Sequence, residues 1–501
     1  MKTSEIKVIG ETFQKISDMV TPTMGAKGRM AVLKDEMGRP FLTDDGVTVA
    51  KECLHMEGFE QMVAMSMCEA ASNTERKAFD GTTLTILLTN ELYKAGREMI
   101  DGGMHPQMAA DTVLRECSEA MGELEKLRII PKEGDAKTMS DVAVITTKMP
   151  YVGELVAEAY GYAGKPMNVI VEHERSKPES HVEHVDGMVV DSGYFTESLR
   201  QLCGEDGRWE AEDCLIAILS EGILTPVGIR TLFGSIKDPN RPILFVVGKG
   251  FQPESMRLLM DMLVQNKLRF MFTFVNDSRE DEVFLDIAAR TGGRIQAAEI
   301  GTTDYSMDDA GVAEKVTVEI DKTTIIAKGD AEAIAKRVAS YAKELEDDRF
   351  TMGFIRKDVV TRRMSNLTVG VTKIMLAAQT VTEFRTIRMK IDDAVGAVRC
   401  AAERGILPGG GKALYLVAER FPELAKAFRK PAEKIIENSG LKVIPKVLAD
   451  RERGLDVNTG KVVNLLEAGI VDSYESIATA LRNAASIASS YLRAYILIKN
   501  D

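Results

Sequence analysis

Paired cysteines, long apolar runs and an excess of basic residues are all missing from this sequence, and each absence excludes a class of protein. Six cysteines (Cys53, Cys68, Cys117, Cys203, Cys214 and Cys400) are scattered without a C-x-x-C pair. That distribution fits reduced thiols and not a disulfide framework or a zinc knuckle. A net charge of −12 argues against a general nucleic-acid binder, whose footprint is basic. No apolar run approaches a membrane span, and "ILFVV" at 243–247 suffices only for a buried strand. The opening "MKTSEIKVIGETFQKISDMV" is amphipathic and interrupted by charge, unlike a signal peptide. There is no internal repeat and no low-complexity tract. A soluble, cytoplasmic protein without nucleic-acid or membrane partners is expected, of unnamed chemistry.

What is present is ample core. With 501 residues, 45% apolar and 28% charged, the chain suits about three domains. To about Leu127 it reads as helices around one short β-ribbon. The ribbon lies in Arg29–Ala50, with a turn at Gly38-Arg39-Pro40. Helical patterns cover Phe59–Arg76, Thr82–Asp101 and Pro106–Leu127. Between about Asn168 and Ala327 strands alternate with helices ("NVIVEH", "CLIAILS", "PILFVVG", "RFMFTFV", "KVTVEI"), as in an α/β layer structure. From Asp330 the chain reads as mostly helical again. The simplest plan is an α/β domain inserted into a helical one, whose two halves share a core.

Several motifs carry chemistry. In "KAFDGTTLTILLTNELY", Asp80 to Thr83 open a helix whose apolar face holds Leu84, Leu87, Leu88 and Leu92. Either Asp80 or a threonine caps this helix, or the corner seats a phosphate, Gly81 letting the backbone approach. In the second case Asp80 repels the phosphate unless a hard cation lies between them. "GILPGGGKALY" (Gly405–Tyr415) fails the P-loop pattern, since Ile406 and Ala413 stand where Gly and Ser or Thr are required. Gly248 and Gly250, after a strand and before a helix, support a dinucleotide-dependent oxidoreductase as an alternative. An ordinary strand–helix turn, with Pro253 opening the helix, is the simpler reading. His181 and Glu183 fall on one strand face and His184 on the other, so no zinc site is expected there.

Taken together, "TPTMGAKGRMAVL…FLTDDGVTVA", "FDGTTLTILLTNELY", "IDDAVGAVRCAAERGILPGGGKAL" and "GIVDSYESIATALRNAASIAS" resemble the group I, bacterial GroEL-type chaperonins in order and interval. "SGYF" at 192–195 and "DIAARTGGRIQAAEIG" at 286–301 extend the resemblance over nearly the whole chain. Divergence from the bacterial pattern suggests an unusual, virus-encoded lineage. The resemblance implies a multi-domain α and α/β chaperonin fold. A mainly helical equatorial ATP-binding domain would span 1–128 and 404–501, a small intermediate hinge domain 129–184 and 371–403, and an α/β apical polypeptide-binding domain 185–370. It also implies homo-oligomeric rings, typically seven-membered, single or double, that bind non-native polypeptides and use ATP and Mg²⁺, with K⁺ and a lid co-chaperonin as further candidates. A non-hydrolysing ring scaffold on the same fold is the alternative.

By matching position, the resemblance implies that Thr23, Met24, Gly25 and Lys27 line the nucleotide pocket. Asp80 would hold the magnesium, and Gly81, Thr82 and Thr83 would cradle phosphates. Gly410 and Gly411 would face the ribose or adenine, Asp472 would accept from the ribose hydroxyls, and Asp456 would stand near adenine. Asp393 would position or deprotonate the attacking water, assisted by Asp45. Polypeptide binding would use Tyr194, Leu199, Ile229, Leu232, Phe233, Met256, Leu259 and Met260. The chain departs from the family at Asp44, where a lysine is usual, at Leu84 for a third threonine, and at Ala26 for a proline. These departures predict ATP hydrolysis with an altered rate or cation dependence. The terminal "YILIKND" lacks the Gly-Gly-Met tail of many relatives.

Overall fold

A computed structural model of the chain describes residues 3–34, 40–132, 134–163, 168–174, 177–194, 197–204, 207–220, 226–248, 253–275, 280–296, 306–346 and 354–494. Two compact units divide it, Met1–Gly161 with Thr386–Asp501, and Tyr162–Arg385. The first unit is built from both chain ends, as the helical, α/β, helical order predicts.

Its core is helical. Helix Tyr474–Arg493 packs against Gly58–Ala78, Thr82–Asp101 and Pro106–Leu127, which match the three helices read from periodicity to within two residues. Leu88, Leu92 and Val113 from the N-terminal half are buried with Leu481, Ala484, Ala488 and Leu492 from the C-terminal half. Burying each such leucine contributes about 2 kcal/mol. Gly96 allows the closest approach, since a Cβ there would lie 2.2 Å from Leu492 Cδ1. The ribbon pairs Ala31–Lys34 antiparallel with Pro40–Thr43. Pro40 opens its second strand; Gly38 and Arg39, expected in the turn, lie outside the described residues.

The second unit holds a seven-stranded mixed sheet. Its order is Gly187–Val190, Thr323–Ile326, Gly311–Val318, Trp209–Leu219, Ile243–Val247 and Phe270–Phe274, with Ile295–Gln296 pairing the end of Trp209–Leu219. The first four are antiparallel and the remaining pairings parallel. Ile243–Val247 is buried along its whole length, as a parallel strand covered on both faces requires. Helix Pro226–Gly234 leads into strand Ile243–Val247, and helix Pro253–Gln265 leads from it to Phe270–Phe274. Gly248 follows its strand as read, and Gly250 lies outside the described residues. With half its ladder antiparallel, the sheet differs from the doubly wound parallel sheet that the dinucleotide reading needs.

A three-stranded sheet in this unit centres on Val371–Ala377, parallel to Val169–Glu174 and antiparallel to His181–Val185. This corrects the helical reading of that stretch. Residues 371–377 alternate in burial with a period near two, but their partners lie about two hundred residues away, beyond any local signal. Helix Ala136–Thr147 and most of Val381–Arg404 fall in the first unit, whereas this sheet falls in the second. Among the described residues no helix is long and apolar enough to cross a membrane.

Candidate functional site

A cavity of about 440 Å³ in the first unit is lined from both chain halves. At its centre helix Thr82–Asp101 begins. Phe79 and Gly81 both take left-handed backbone conformations, φ 58° and 92°, which turn the chain sharply into the helix. The first N–H groups of a helix have no intrahelical partner, and no side chain caps this one at Gly81. Asp80 does not cap it either; its Oδ1 accepts from the Gly81 N–H at 2.6 Å. The simple capping reading is therefore set aside, and the helix start stays available to an anion.

Carboxylates converge on this corner. Asp45 caps helix Gly46–Glu52, its Oδ1 accepting from Val47 N at 3.2 Å and its Oδ2 from Thr48 N at 2.9 Å and Thr48 Oγ1 at 2.5 Å. Asp393, on helix Val381–Arg404, is pushed up to about 8 by burial and then by the negative charges of Glu75, Asp45, Asp392 and Asp80. Burial, then Asp80, lifts Asp472 to about 7, although the N–H groups of Gly411 and Gly410 donate to it. Asp80 is raised by burial, partly offset by the Gly81 N–H and Lys148, and Glu75 by burial and Asp45. Asp80, Asp393 and Asp472 keep some surface toward the cavity, yet enclosing protein atoms desolvate them. Such a cluster favours protons or a cation over free charge. Among the described residues no three His, Cys, Asp or Glu form a ready-made metal cage. Carboxylates in ones and twos are donors that a hard cation could use, if phosphate and water completed its shell.

Two lysines offset part of this negative charge at Asp44. Lys148 Nζ lies 3.0 Å from its Oδ2 and Lys390 Nζ 3.1 Å from its Oδ1. Burial opposes its ionisation, but hydrogen bonding and charge from Lys148, then Lys390, hold the carboxyl below its usual range. Lys412, in the failed P-loop motif, serves a different purpose. It is buried and donates to Val447 O at 2.9 Å and Arg453 O at 2.7 Å, and burial lowers its pKa to about 8.

The cavity lining contains Thr23, Met24, Gly25, Asp45, Asp80, Gly81, Thr82, Thr83, Asp393, Gly410, Gly411, Asp456 and Asp472. Lys27 does not line it and is exposed. Asp456 has both oxygens engaged in its hairpin turn, by Asn458 N at 2.9 Å and Thr459 Oγ1 at 2.7 Å. Sequence reading missed Glu75, Lys148 and Lys390 as cavity residues. Lys390 carried a signal, since it lies one helical turn before Asp393. Glu75 and Lys148 had none, being brought in by helix packing alone.

The expected polypeptide-binding residues separate. Leu199 and Leu232 are fully buried and Tyr194 nearly so, its hydroxyl donating to Gly207 O at 3.1 Å. These three belong to the buried apolar cluster of the second unit, with Ile216, Phe245 and Phe272 of its sheet. Phe233 and Met260 are partly buried against the same core. The side chains of Ile229, Met256 and Leu259 lie outside the described residues. A wider cleft of about 850 Å³ in this unit is lined by Glu172, Arg208, Trp209 and Lys315. Its charges are largely engaged, Lys315 with Glu172 at 2.9 Å and Arg208 with Glu319 at 2.5 Å. His181 and His184 diverge as read, His181 toward Glu183 at 2.9 Å and His184 toward Thr372 and the Tyr162 ring.

Two crystal structures of the chaperonin gp146 from the bacteriophage EL 2 (Pseudomonas aeruginosa), in the presence of ATP-BeFx, share the fold. Their TM-scores are 0.77 and 0.70, each at 18% identity, covering 100% of this chain and 98% of that one. The model of the TCP-1/cpn60 chaperonin family matches residues 16–226 and 229–500. With motifs, fold and family match in agreement over almost the full length, the chain belongs to the TCP-1/cpn60 chaperonin family.

Proposed function

We propose that the chain is an ATP-dependent chaperonin subunit that assembles into rings, binds non-native polypeptides and promotes their folding through Mg-ATP hydrolysis. One observation carries the reading. The uncapped helix start at Gly81–Thr83 shares a single cavity with Asp80, Asp393 and the Gly410–Gly411–Asp472 cluster. The helix start would take the triphosphate, and Asp472 the ribose hydroxyls. Mg²⁺ held by Asp80 would neutralise phosphate charge. Asp393 would orient the attacking water and, once deprotonated, accept its proton; a pKa near the working pH suits a general base. Phosphoryl transfer asks mainly for such positioning and charge neutralisation. The gp146 crystal structures in the presence of ATP-BeFx support nucleotide use on this fold.

The three-domain plan, the seven-membered ring, K⁺ dependence and a lid co-chaperonin belong to the same proposal. So does client capture by the 226–234 and 253–265 helices, which Leu259→Glu should weaken. The deciding experiment measures ATP hydrolysis with and without Mg²⁺ and images the protein by negative stain with and without ATP. Rings with magnesium-dependent turnover are expected. Rings that bind clients without turning over ATP would leave a scaffold.

A further inference from the structure

Seven carboxylates line the cavity: Asp44, Asp45, Glu75, Asp80, Asp393, Asp456 and Asp472. Its described cations are Lys148, Lys390 and Lys412, and Lys412 is committed to two carbonyl oxygens. A nucleotide triphosphate stays anionic even with one magnesium, so it needs further positive charge there. Among the described lining residues, Lys148 and Lys390 are placed to supply it. Both converge on Asp44, at 3.0 and 3.1 Å, from different elements. Their side chains are 30% and 25% exposed, sheltered from full screening by solvent but within reach of the cavity.

The phosphate corner adjoins this triad. Asp44 lies two residues before Gly46, where a Cβ would come within 2.3 Å of Thr83 Oγ1. Lys148 follows helix Ala136–Thr147 in a left-handed conformation, φ 60°, and its Nζ also donates to Thr23 O at 3.3 Å. Its charge is felt by Asp80. Lys390 precedes Asp393 by three residues on one helix, so the two share a face. One lysine thus stands beside the residue expected to hold the metal, the other beside the residue expected to act on water.

We propose that Lys148 and Lys390 neutralise the terminal phosphate of the bound nucleotide, with Asp44 as the anion that holds them in place until the phosphate arrives. The inference rests on the nucleotide reading of the cavity. It gives the cavity beside Asp44 positive charge from two separate elements. No covalent step is added. The two ammonium groups exchange one anionic partner for another.

The test is equilibrium binding of Mg-ATP and Mg-ADP to the full chain, in wild type, Lys148→Gln, Lys390→Gln, Lys390→Arg and Asp44→Asn, with melting temperatures as a folding control. Each glutamine variant should bind ATP about 10- to 100-fold more weakly, as loss of a charge-assisted hydrogen bond implies, while ADP binding changes little. Lys390→Arg should retain the ATP preference, and Asp44→Asn should leave ATP binding equal or tighter. The proposal is overturned if the glutamine variants keep the wild-type preference for ATP over ADP, or lose both nucleotides alike. Loss of ATP binding in Asp44→Asn to the same extent as in the lysine variants would make the triad a structural strut. A wild type that binds neither nucleotide would instead overturn the nucleotide reading itself.

Discussion

Gly46 and Thr83 approach so closely that a Cβ on Gly46 would fall 2.3 Å from the threonine hydroxyl oxygen and 3.2 Å from the Thr83 backbone nitrogen. The loop carrying Asp44 and Asp45 is thereby seated on the start of the 82–101 helix. Gly46→Ala should keep the helical content, because the nearest atom its Cβ meets is the Thr83 side-chain oxygen, which must move aside. It should displace the Thr83 corner and raise the KM for ATP. Steady-state hydrolysis together with far-UV circular dichroism will separate the two effects.

Asp80→Asn keeps the side-chain volume and one oxygen for the Gly81 N–H, but removes the charge expected to hold Mg²⁺. Hydrolysis should fall by about 10²-fold or more, as for loss of a major electrostatic group. A magnesium titration monitored by hydrolysis rate should show no saturable recovery.

Asp393 gives a pH prediction whose sign can be worked out. Its carboxyl titrates near 8 in the folded chain against an ordinary 3.8, so the folded state holds the proton more tightly. The associated stability is complete below 3.8 and lost as pH rises through about 8. Asn mimics the protonated acid. The melting temperature of Asp393→Asn should therefore exceed that of wild type by a margin that grows between those pH values and is constant above. Its hydrolysis rate should drop about 10²- to 10⁴-fold, the usual worth of a general base. A pH series of thermal melts and rates checks both.

Asp44→Lys would place a third ammonium against Lys148 and Lys390, each now within 3.1 Å of the aspartate. Like charges at that separation repel, so the variant should melt lower in low salt and recover partly as salt is added. Its hydrolysis rate should differ from wild type. An unchanged rate would remove the link between Asp44 and altered turnover.

In the second unit, Leu232 is fully buried while Val264 is 55% exposed. Leu232→Ala should cost about 2–5 kcal/mol and lower the melting temperature, whereas Val264→Glu should leave it nearly unchanged. Differential scanning calorimetry of both variants distinguishes core from surface.

Local pattern carried much of this molecule. The 82–101 helix was legible from its leucine spacing, and its start from Asp80-Gly81, since only glycine takes φ 92° readily. The parallel strand at 243–247 was legible as an unbroken apolar run. The 371–377 strand was not, because its partners are far away in sequence. The burial of Leu232 was not legible either, since an apolar helix face reads alike whether it meets solvent or a sheet.

Helix starts, glycine corners and the order of helical and α/β segments were determined by the sequence itself, because backbone conformation and short-range periodicity act over a few residues. Tertiary structure alone decided which charges meet. Asp44 finds Lys148 and Lys390 across 104 and 346 residues of chain, and Asp393 acquires its raised pKa from burial and then from Glu75, Asp45, Asp392 and Asp80. Coulomb interaction depends on distance and on the surrounding dielectric, and both are set only when the helices pack.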